Sequence, residues 1–316
     1  MCLNFILYPW IKYCTANSLI CNVNDVNLYD IPTFSVEMDV CLCTVGQVVH
    51  ALPEGETVAG VTSLAGQIYV LREKERDQVE VYDVTTYSLQ RLLSVPNARE
   101  FNDMTSCEHY RCVYIADDIA ECTIHRLDVQ GAATRWAVND RSCCLSVNAA
   151  HNVLATCQLV RKIKEFSSHG DLLRELTLPD DVMNPLHAIQ LTNGHFIVCH
   201  GRFDDTVHRV CKISEEGRDI VQSHGGQRGS DNGQYNIPFH LAADKNEFVF
   251  VADVNNQRVT LLSPTLGYIC QVVSRDKVKG APVRLYLDAQ RRRLYVVDNE
   301  RKDGAWTIGR VVVFSV

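Results

Sequence analysis

Three candidate metal ligands recur at one offset in this sequence. Cys144, His187 and His240 each lie nine residues before the start of a strand-like apolar run. Thiolate and imidazole groups suit zinc, and catalytic zinc is held by three protein ligands with one open position. We expect the shared offset to place these residues on neighbouring inner strands that face a common channel. Because a lone histidine in such a place is more often a packed core group, our main interpretation contains no metal and no cofactor.

A second group of residues carries charges of both signs in segments that are typical of loops. These residues are Arg161, Lys162, Arg202, Asp204 and Arg258. A surface of mixed charge suits a protein partner better than a phosphate backbone, because nearby carboxylates repel phosphate. We therefore expect these residues to bind a protein partner, and RNA is the alternative partner.

The sequence motifs that would indicate an enzyme active site are incomplete or absent. The glycines between Gly225 and Gly233 lack the Gly-Lys-Ser/Thr ending of a phosphate-binding loop, so they indicate a turn. The sequence contains no Gly-x-Ser-x-Gly nucleophile motif. Asp117, Asp253 and Asp298 each end an apolar run, and recurrence at one position indicates a structural turn in which the carboxylate accepts backbone N–H groups. We therefore predict a protein without catalytic residues.

The elements that must position these residues are short strands arranged in a repeat. Apolar runs begin at Ile68, Val113, Val153, Phe196, Val249 and Leu294, at spacings of 45, 40, 43, 53 and 45 residues. Each run has an apolar segment before it and one or two after it. Four short strands per unit at this period indicate a β-propeller blade. The sequence therefore predicts an all-β, six-bladed β-propeller of four-stranded blades over residues 45–316.

The two ends of the repeat region predict how the ring closes. The sixth unit reaches Val316 after only three strands, while residues 47–52 form an apolar run without a unit of their own. We predict that this N-terminal segment supplies the fourth strand of the sixth blade and so covers an exposed edge. Residues 1–44 lie outside the repeats and form an N-terminal lead-in with no assigned fold.

Residues 226–263 resemble an NHL repeat, in which spaced glycines precede an aromatic residue, Asn-x-Pro, a strand pair ending in Val-Ala-Asp and an Asn-x-Arg turn. His240 departs from the glycine that is usual in this pattern. The matching residues are Gly226, Gly229, Gly233, Tyr235, Asn236, Pro238, Asp244, Val251, Ala252, Asp253, Asn256 and Arg258.

This resemblance implies three kinds of function. NHL propellers end the tripartite-motif ubiquitin ligases, where they bind RNA or protein partners. They also occur in a copper/zinc-dependent peptide-amidating lyase and near sugar-lactone hydrolases. We favour a non-enzymatic binding or scaffold module that holds a protein on its loop face. The alternatives are an RNA-binding propeller of tripartite-motif type and a channel-metal lyase or hydrolase of the amidating-lyase or lactonase type. RING and B-box spacings are absent from the sequence.

The composition and charge of the chain limit the partners and the cellular compartment that we expect. The net charge of −7 disfavours nucleic acid as a default partner, and the sequence has no apolar run near the roughly 20 residues of a membrane helix. Its 14 cysteines show no disulfide framework or zinc-knuckle spacing, and most lie in apolar strand-like runs. We therefore expect reduced core cysteines and a cytoplasmic protein without membrane contact. The sequence leaves the oligomeric state open.

Overall fold

The structure is a computed structural model that describes residues 46–73, 78–98, 100–117, 122–141 and 143–316. The lead-in predicted for residues 1–44 lies outside the described residues. The described residues form six antiparallel sheets of four strands each. The innermost strands of successive sheets contact one another in order around a closed ring. The predicted six-bladed β-propeller is therefore confirmed.

Five blades are formed by consecutive strands. Blade 1 contains β2 (Val58–Leu64), β3 (Gln67–Arg72), β4 (Gln78–Asp83) and β5 (Leu89–Ser94). Blade 2 contains β6 (Phe101–Cys107), β7 (Cys112–Asp117), β8 (Thr123–Asp128) and β9 (Ala133–Ala137). Blade 3 contains β10 (Cys143–Val147), β11 (Val153–Cys157), β12 (Lys162–Phe166) and β13 (Leu172–Thr177). Blade 4 contains β14 (Pro185–Gln190), β15 (Phe196–His200), β16 (Val207–Ile213) and β17 (Ile220–Gln227). Blade 5 contains β18 (Pro238–Ala243), β19 (Val249–Asp253), β20 (Arg258–Leu262) and β21 (Tyr268–Val273).

Blade 6 joins the two ends of the described chain. It contains β22 (Ala281–Asp288), β23 (Arg293–Lys302) and β24 (Ala305–Ser315), with β1 (Gln47–Ala51) as its outermost strand. In the antiparallel pairing of β1 with β24, Gln47 lies opposite Ser315 and Ala51 opposite Val312. The predicted closure by an N-terminal strand is therefore confirmed.

The second strand of each blade explains why the repeat was visible in the sequence. Strands β7, β11, β15 and β19 are buried along their whole length. A strand buried on both faces is a continuous apolar run, whereas the outermost strands β5 and β13 are mostly exposed and carry weaker patterns. Helical structure among the described residues is confined to three short 3₁₀ turns, Gln158–Val160, Val254–Asn256 and Arg275–Lys277.

The aspartates that end three of these runs anchor the connection that enters their own blade. The Oδ1 atoms of Asp117, Asp253 and Asp298 accept backbone N–H groups at 2.9, 2.8 and 2.8 Å, respectively. The donors are residues that lead into the first strand of the same blade: Glu100, Asn236 and Gly280. The carboxylates therefore have the turn role expected from their recurrence.

The end of the propeller that carries the turns between second and third strands, together with the connections between blades, is called the loop face below. On this face, the turn between the second and third strands of blade 6 is a long hairpin. Strands β23 and β24 continue as a paired ribbon as far as Lys302 and Ala305. Its turn residues Asp303 and Gly304 both have positive φ, of 53° and 84°, which two-residue hairpin turns require. We call this ribbon, residues 299–309, the projecting hairpin.

Most of the cysteines that the structure describes lie in the core of the propeller. Cys270 is half-buried, and the buried ones are Cys107, Cys112, Cys122, Cys144, Cys157, Cys199 and Cys211. No helix in the described ranges is long and apolar enough to cross a membrane. A cytoplasmic location stays a prediction.

Candidate functional site

The residues that face the central channel are set by a bulge near the start of the inner strands. Pairing shifts by one residue just before Gly60, Asp103, His187, His240 and Arg284. In blades 1, 2, 4 and 5 this residue lies opposite the next-to-last position of the second strand, as Cys144 does in blade 3 without a bulge. In blade 6, where the second strand is longer, Arg284 pairs with Val297, the residue before the turn aspartate Asp298. These six residues are the equivalent channel positions.

This register corrects the constant offset of nine residues used in the sequence analysis. That offset gives Ala59, Met104 and Leu285 in blades 1, 2 and 6, and each of these is one residue away from the channel position. The cause is turn length. Ser106 pairs with Val113 in blade 2, whereas Ala243 pairs with Val249 in blade 5, so the turn of blade 2 is one residue longer.

The channel positions form a buried polar network centred on Asp103. The Nε atom of Arg284 donates to Oδ1 of Asp103 at 2.9 Å, and the backbone N–H of Leu145 donates to Oδ2 at 2.7 Å. The Nε2 atom of His240 lies 3.6 Å from Oδ2, beyond normal hydrogen-bond distance. Asp103 is 0% exposed and Arg284 is 5% exposed, so this ion pair is shielded from water.

The two channel histidines stack on each other. The ring centroids of His187 and His240 are 3.8 Å apart, with an angle of 12° between the planes. The backbone N–H groups of Leu241 and Leu285 donate to the Nδ1 atoms of His187 and His240, at 3.2 and 3.3 Å. Since each Nδ1 therefore carries the lone pair, each proton is on Nε2, and that of His187 is donated to the carbonyl of Leu145 at 3.1 Å.

Burial and neighbouring charges set the ionisation of this network. Burial alone would raise the pKa of Asp103, but the charge of Arg284 and the contact with His240 outweigh it and hold that pKa well below its usual range. Burial lowers the pKa of both His187 and His240, and their mutual repulsion lowers that of His187 further. The channel therefore contains one carboxylate, one guanidinium and two neutral imidazoles.

Of the three candidate metal ligands, only the two histidines lie close together. Ligand atoms of Asp103, His187 and His240 all lie within 4.8 Å of one another, so the structure brings the two histidines together and adds an aspartate that the sequence analysis missed. Cys144 occupies the equivalent position on β10 and is buried, but it is not in this group. A metal on either Nε2 would require its proton to move to Nδ1, where a backbone N–H already donates. In this arrangement, with Arg284 already serving as the cation beside Asp103, the group does not fit a metal.

Above this network, the loop face contains a cavity of about 170 Å³ at the mouth of the channel. We call it the mouth cavity. Its floor includes the extra residue of four of the bulged inner strands, so the bulges that aim the channel residues also shape the cavity. These four residues are Ala59, Asn102, Phe239 and Val283.

The polar and aromatic side chains of the mouth cavity come from several blades. Arg284 and Glu73 lie in its wall with Arg301 and Trp306 of the projecting hairpin and Phe203 of blade 4. The Cζ atom of Arg301 lies 4.1 Å from the ring centroid of Trp306 and 5.1 Å from that of Phe203. Blade 5 separates blades 4 and 6 in the ring, so this contact spans the mouth of the channel.

Two of the predicted binding residues lie at the rim of blade 3. Arg161, in the left-handed region with φ of 53°, follows the 3₁₀ turn of this blade. Its Nη2 atom lies 2.9 Å from the exposed carboxylate of Asp180. Lys162 begins β12 and pairs with Glu175 on the adjacent strand β13. Both residues have carboxylate partners within their own blade.

Arg202 and Asp204 lie in the β15–β16 turn, and both are exposed. The backbone N–H of Arg202 donates to Oδ2 of Asp205 at 2.7 Å, which orders the turn. Asp204 lines a cleft between blades 3 and 4 with Asp180 and Asp181. The loop face near Phe203 therefore carries charges of both signs, with several aspartates and Arg209 in this cleft and Arg301 against the Phe203 ring.

The fifth predicted binding residue, Arg258, has a different environment. It is 8% exposed, and its Nε atom donates to Oδ2 of Asp253 at 2.8 Å. Its Nη atoms donate to the carbonyls of Ser230, Asp231 and Gln234. Arg258 thus ties the blade 5 turn to the connection before β18, and any part in binding stays a prediction.

Sequence reasoning missed Asp103, Arg284, Arg301 and Trp306. The sequence contained a usable signal for the last two, because Asp303-Gly304 is a typical two-residue hairpin turn. It contained no comparable signal for Asp103 and Arg284, which lie 181 residues apart in the chain. Only closure of the ring brings this pair together.

Comparisons with known proteins agree on the fold. No family model matches this sequence, and no curated protein matches it. The NHL resemblance is therefore not confirmed and stays a prediction. The structure is similar to the PQQ-bound form of aldose sugar dehydrogenase from Streptomyces coelicolor, with a TM-score of 0.60 and 13% identity, covering 85% of this chain and 98% of that chain.

Two further solved structures have a similar fold. Virginiamycin B lyase from Staphylococcus aureus has a TM-score of 0.54 and 14% identity, covering 84% of this chain and 88% of that chain. A protein of unknown function from Bacteroides thetaiotaomicron has a TM-score of 0.62 and 11% identity, covering 85% of this chain and 72% of that chain. Similarity at these identities establishes a β-propeller fold and leaves the activity open.

Proposed function

We propose that the protein is a non-enzymatic binding module that holds a protein partner on its loop face, at and around the mouth cavity. The observation that carries this proposal is the arrangement of the channel. Asp103 is held by Arg284 and a backbone N–H, and the lone pair of each imidazole accepts a backbone N–H. Groups engaged in this way stabilise the ring and are poorly placed to move protons on a substrate.

The charge pattern of the loop face supports a protein rather than RNA. Asp180, Asp181 and Asp204 line one cleft together with Arg209, and Arg301 packs against Phe203, the residue before Asp204. A phosphate backbone would meet these carboxylates along its path, whereas a protein can present each charge with its complement. The exposed aromatic ring of Phe203, 48% accessible, is typical of the apolar part of a protein contact.

Matched variants on opposite faces of blade 4 test this proposal. Arg202→Glu with Asp204→Lys changes the loop face, and Glu216→Gln with Arg218→Gln changes the β16–β17 turn at the other end of the blade. Each protein is immobilised and exposed to lysate from its source cells, with and without ribonuclease. We expect the wild type and the second variant to retain the same partner, which the first variant loses, with no effect of ribonuclease.

Two results would contradict this proposal. Retention that ribonuclease abolishes, or that falls steeply with rising salt, would indicate RNA as the partner. Equal retention by both variants would show that the loop face is not the binding surface.

A channel-metal lyase or hydrolase is the alternative function, and it would require both channel imidazoles to give up the tautomers described above. Ligand atoms of Asp103, His187 and His240 converge to within 4.8 Å. The purified protein would then contain stoichiometric zinc that His187→Ala and His240→Ala each remove. Purified wild-type protein that takes up no zinc from a zinc-containing buffer would exclude this candidate.

A further inference from the structure

We propose that Arg301 binds a carboxylate of the protein partner at the mouth cavity, beside an apolar side chain that enters the cavity. This inference rests on the proposed function and specifies the chemistry that the loop face recognises. The carboxylate is either a C-terminal carboxylate or an Asp or Glu side chain, since both present the same two oxygens.

The guanidinium of Arg301 is positioned but not neutralised. It packs against Trp306 and Phe203 at 4.1 and 5.1 Å. Among the residues that the structure describes, it has no ion pair and no side-chain hydrogen bond. Partial burial lowers its pKa, so the surroundings favour the arrival of an opposite charge. Ring contacts restrict the guanidinium plane and leave its N–H edge to form the paired hydrogen bonds that a carboxylate accepts.

The other cation of the mouth cavity is already engaged. Arg284 is bound to Asp103, and the carboxylate of Glu73 accepts a hydrogen bond from Thr57 at 2.6 Å. Arg301 is therefore the uncompensated cation among the described charges that line the cavity. Because Glu73 lies in the same wall and Asp204 follows Phe203 in sequence, a single carboxylate fits better than a chain of phosphates.

The shape of the cavity supports an accompanying apolar side chain. Its volume of about 170 Å³ has room for one side chain rather than for a folded domain. Ile237, Phe239, Val254 and Val283 contribute apolar wall next to the hairpin. A partner segment with a carboxylate near an aromatic residue would therefore match both parts of the site.

Short peptides provide the test. The first pair is N-acetyl-Ala-Ala-Phe with a free C-terminus and the same peptide as its C-terminal amide. The second pair is N-acetyl-Ala-Asp-Ala-Phe-amide and its Asn analogue, which separates an acidic side chain from a C-terminus. A phosphoserine peptide and a ten-nucleotide uridine oligomer provide the other anions. Titration calorimetry gives each affinity, and quenching of Trp306 fluorescence, absent in Trp306→Phe, locates the binding.

We expect at least one carboxylate peptide to bind about ten- to a hundredfold more tightly than its neutral analogue. This ratio corresponds to the free energy that a hydrogen bond to a charged group typically contributes. Arg301→Gln should remove this preference and leave the thermal midpoint unchanged. The matched control Arg218→Gln makes the same charge change in the exposed β16–β17 turn and should bind like the wild type.

Three results would overturn this inference. The first is equal binding of both carboxylate peptides and their neutral analogues. The second is a carboxylate preference that persists in Arg301→Gln. The third is tighter binding of the phosphoserine peptide or the oligomer through Arg301, which would reassign the site to phosphate. If partner retention still depends on Arg202 and Asp204 while the peptides show no preference, this inference fails and the proposed function stands.

Discussion

Replacement of Asp103 by asparagine tests whether the channel network holds the propeller together. The substitution keeps the shape of the side chain but removes its charge. Arg284, 5% exposed, would then be a buried cation without its counter-ion, and the 2.7 Å contact from the N–H of Leu145 would lose a charged acceptor. Breaking a buried ion pair from one side typically costs about 3–5 kcal/mol.

The expected magnitude can be measured by urea unfolding. We expect Asp103→Asn to reduce the free energy of unfolding by about 3–4 kcal/mol, with an unchanged dependence on urea concentration. In a thermal melt, the same loss corresponds to a midpoint lower by about 6–16 °C for a domain of this size.

Two controls separate the buried charge from charge loss in general. Asp180→Asn removes a carboxylate whose side chain is 95% exposed although it lies 2.9 Å from Arg161. This control should cost less than about 1 kcal/mol. The double replacement Asp103→Leu with Arg284→Met removes both charges and should recover much of the stability lost in Asp103→Asn, because neither charge is then left unpaired.

One result would refute this reasoning. If Asp103→Asn and Asp180→Asn cost the same amount, within about 1 kcal/mol of the wild type, Asp103 contributes no more to stability than a surface carboxylate. The channel network would then be free to serve another purpose, and the observation that carries the binding proposal would be lost.

Three further predictions concern ring closure, pH and Arg258. Without β1, a chain that begins at residue 53 should be poorly soluble, whereas one that begins at residue 41 should resemble the wild type; equal solubility and melting would contradict closure. Burial lowers the pKa of His200 to about 4, below an unfolded value near 6.5, so its contribution of up to about 3 kcal/mol should be present above pH 6.5 and disappear as the pH falls towards 4. His200→Asn should therefore reduce the pH dependence of urea unfolding, and an unchanged slope would disprove this contribution. Arg258→Met should destabilise by about 3–5 kcal/mol and the exposed Arg202→Met by less than about 0.5 kcal/mol in the same assay, and similar costs would be inconsistent with the buried environment of Arg258.

The fold could be predicted because burial repeats along the chain. Each blade needs a second strand that is covered on both faces, so a run such as residues 249–252 must be apolar throughout. Six such runs at similar spacing specify a propeller without any knowledge of side-chain contacts. Closure followed from the same pattern, since residues 47–52 were apolar without a blade of their own.

The channel site could not be predicted with the same precision, because it depends on single-residue differences between blades. A turn that is one residue longer between β6 and β7 moves Asp103, rather than Met104, to the channel. A strand that shifts by one residue turns the opposite side chain inward. The offset found His187 and His240 because the turn before Phe196 and the turn before Val249 have the same length.

The turn aspartates and the projecting hairpin differ in how often they occur among the described blades, and this difference helps to separate structural residues from candidate recognition residues. The turn aspartates recur in three blades, and each carboxylate accepts a backbone N–H group, as Asp253 does from Asn236. The projecting hairpin occurs in blade 6, and it brings Arg301 across the channel mouth to Phe203. A structural device is needed in many blades, but a recognition residue is needed once, and it must face the mouth where the blades converge. Among the described residues the charge of Arg301, near the tip of this hairpin, has no ion pair, and we therefore propose it as the first place to look for partner specificity.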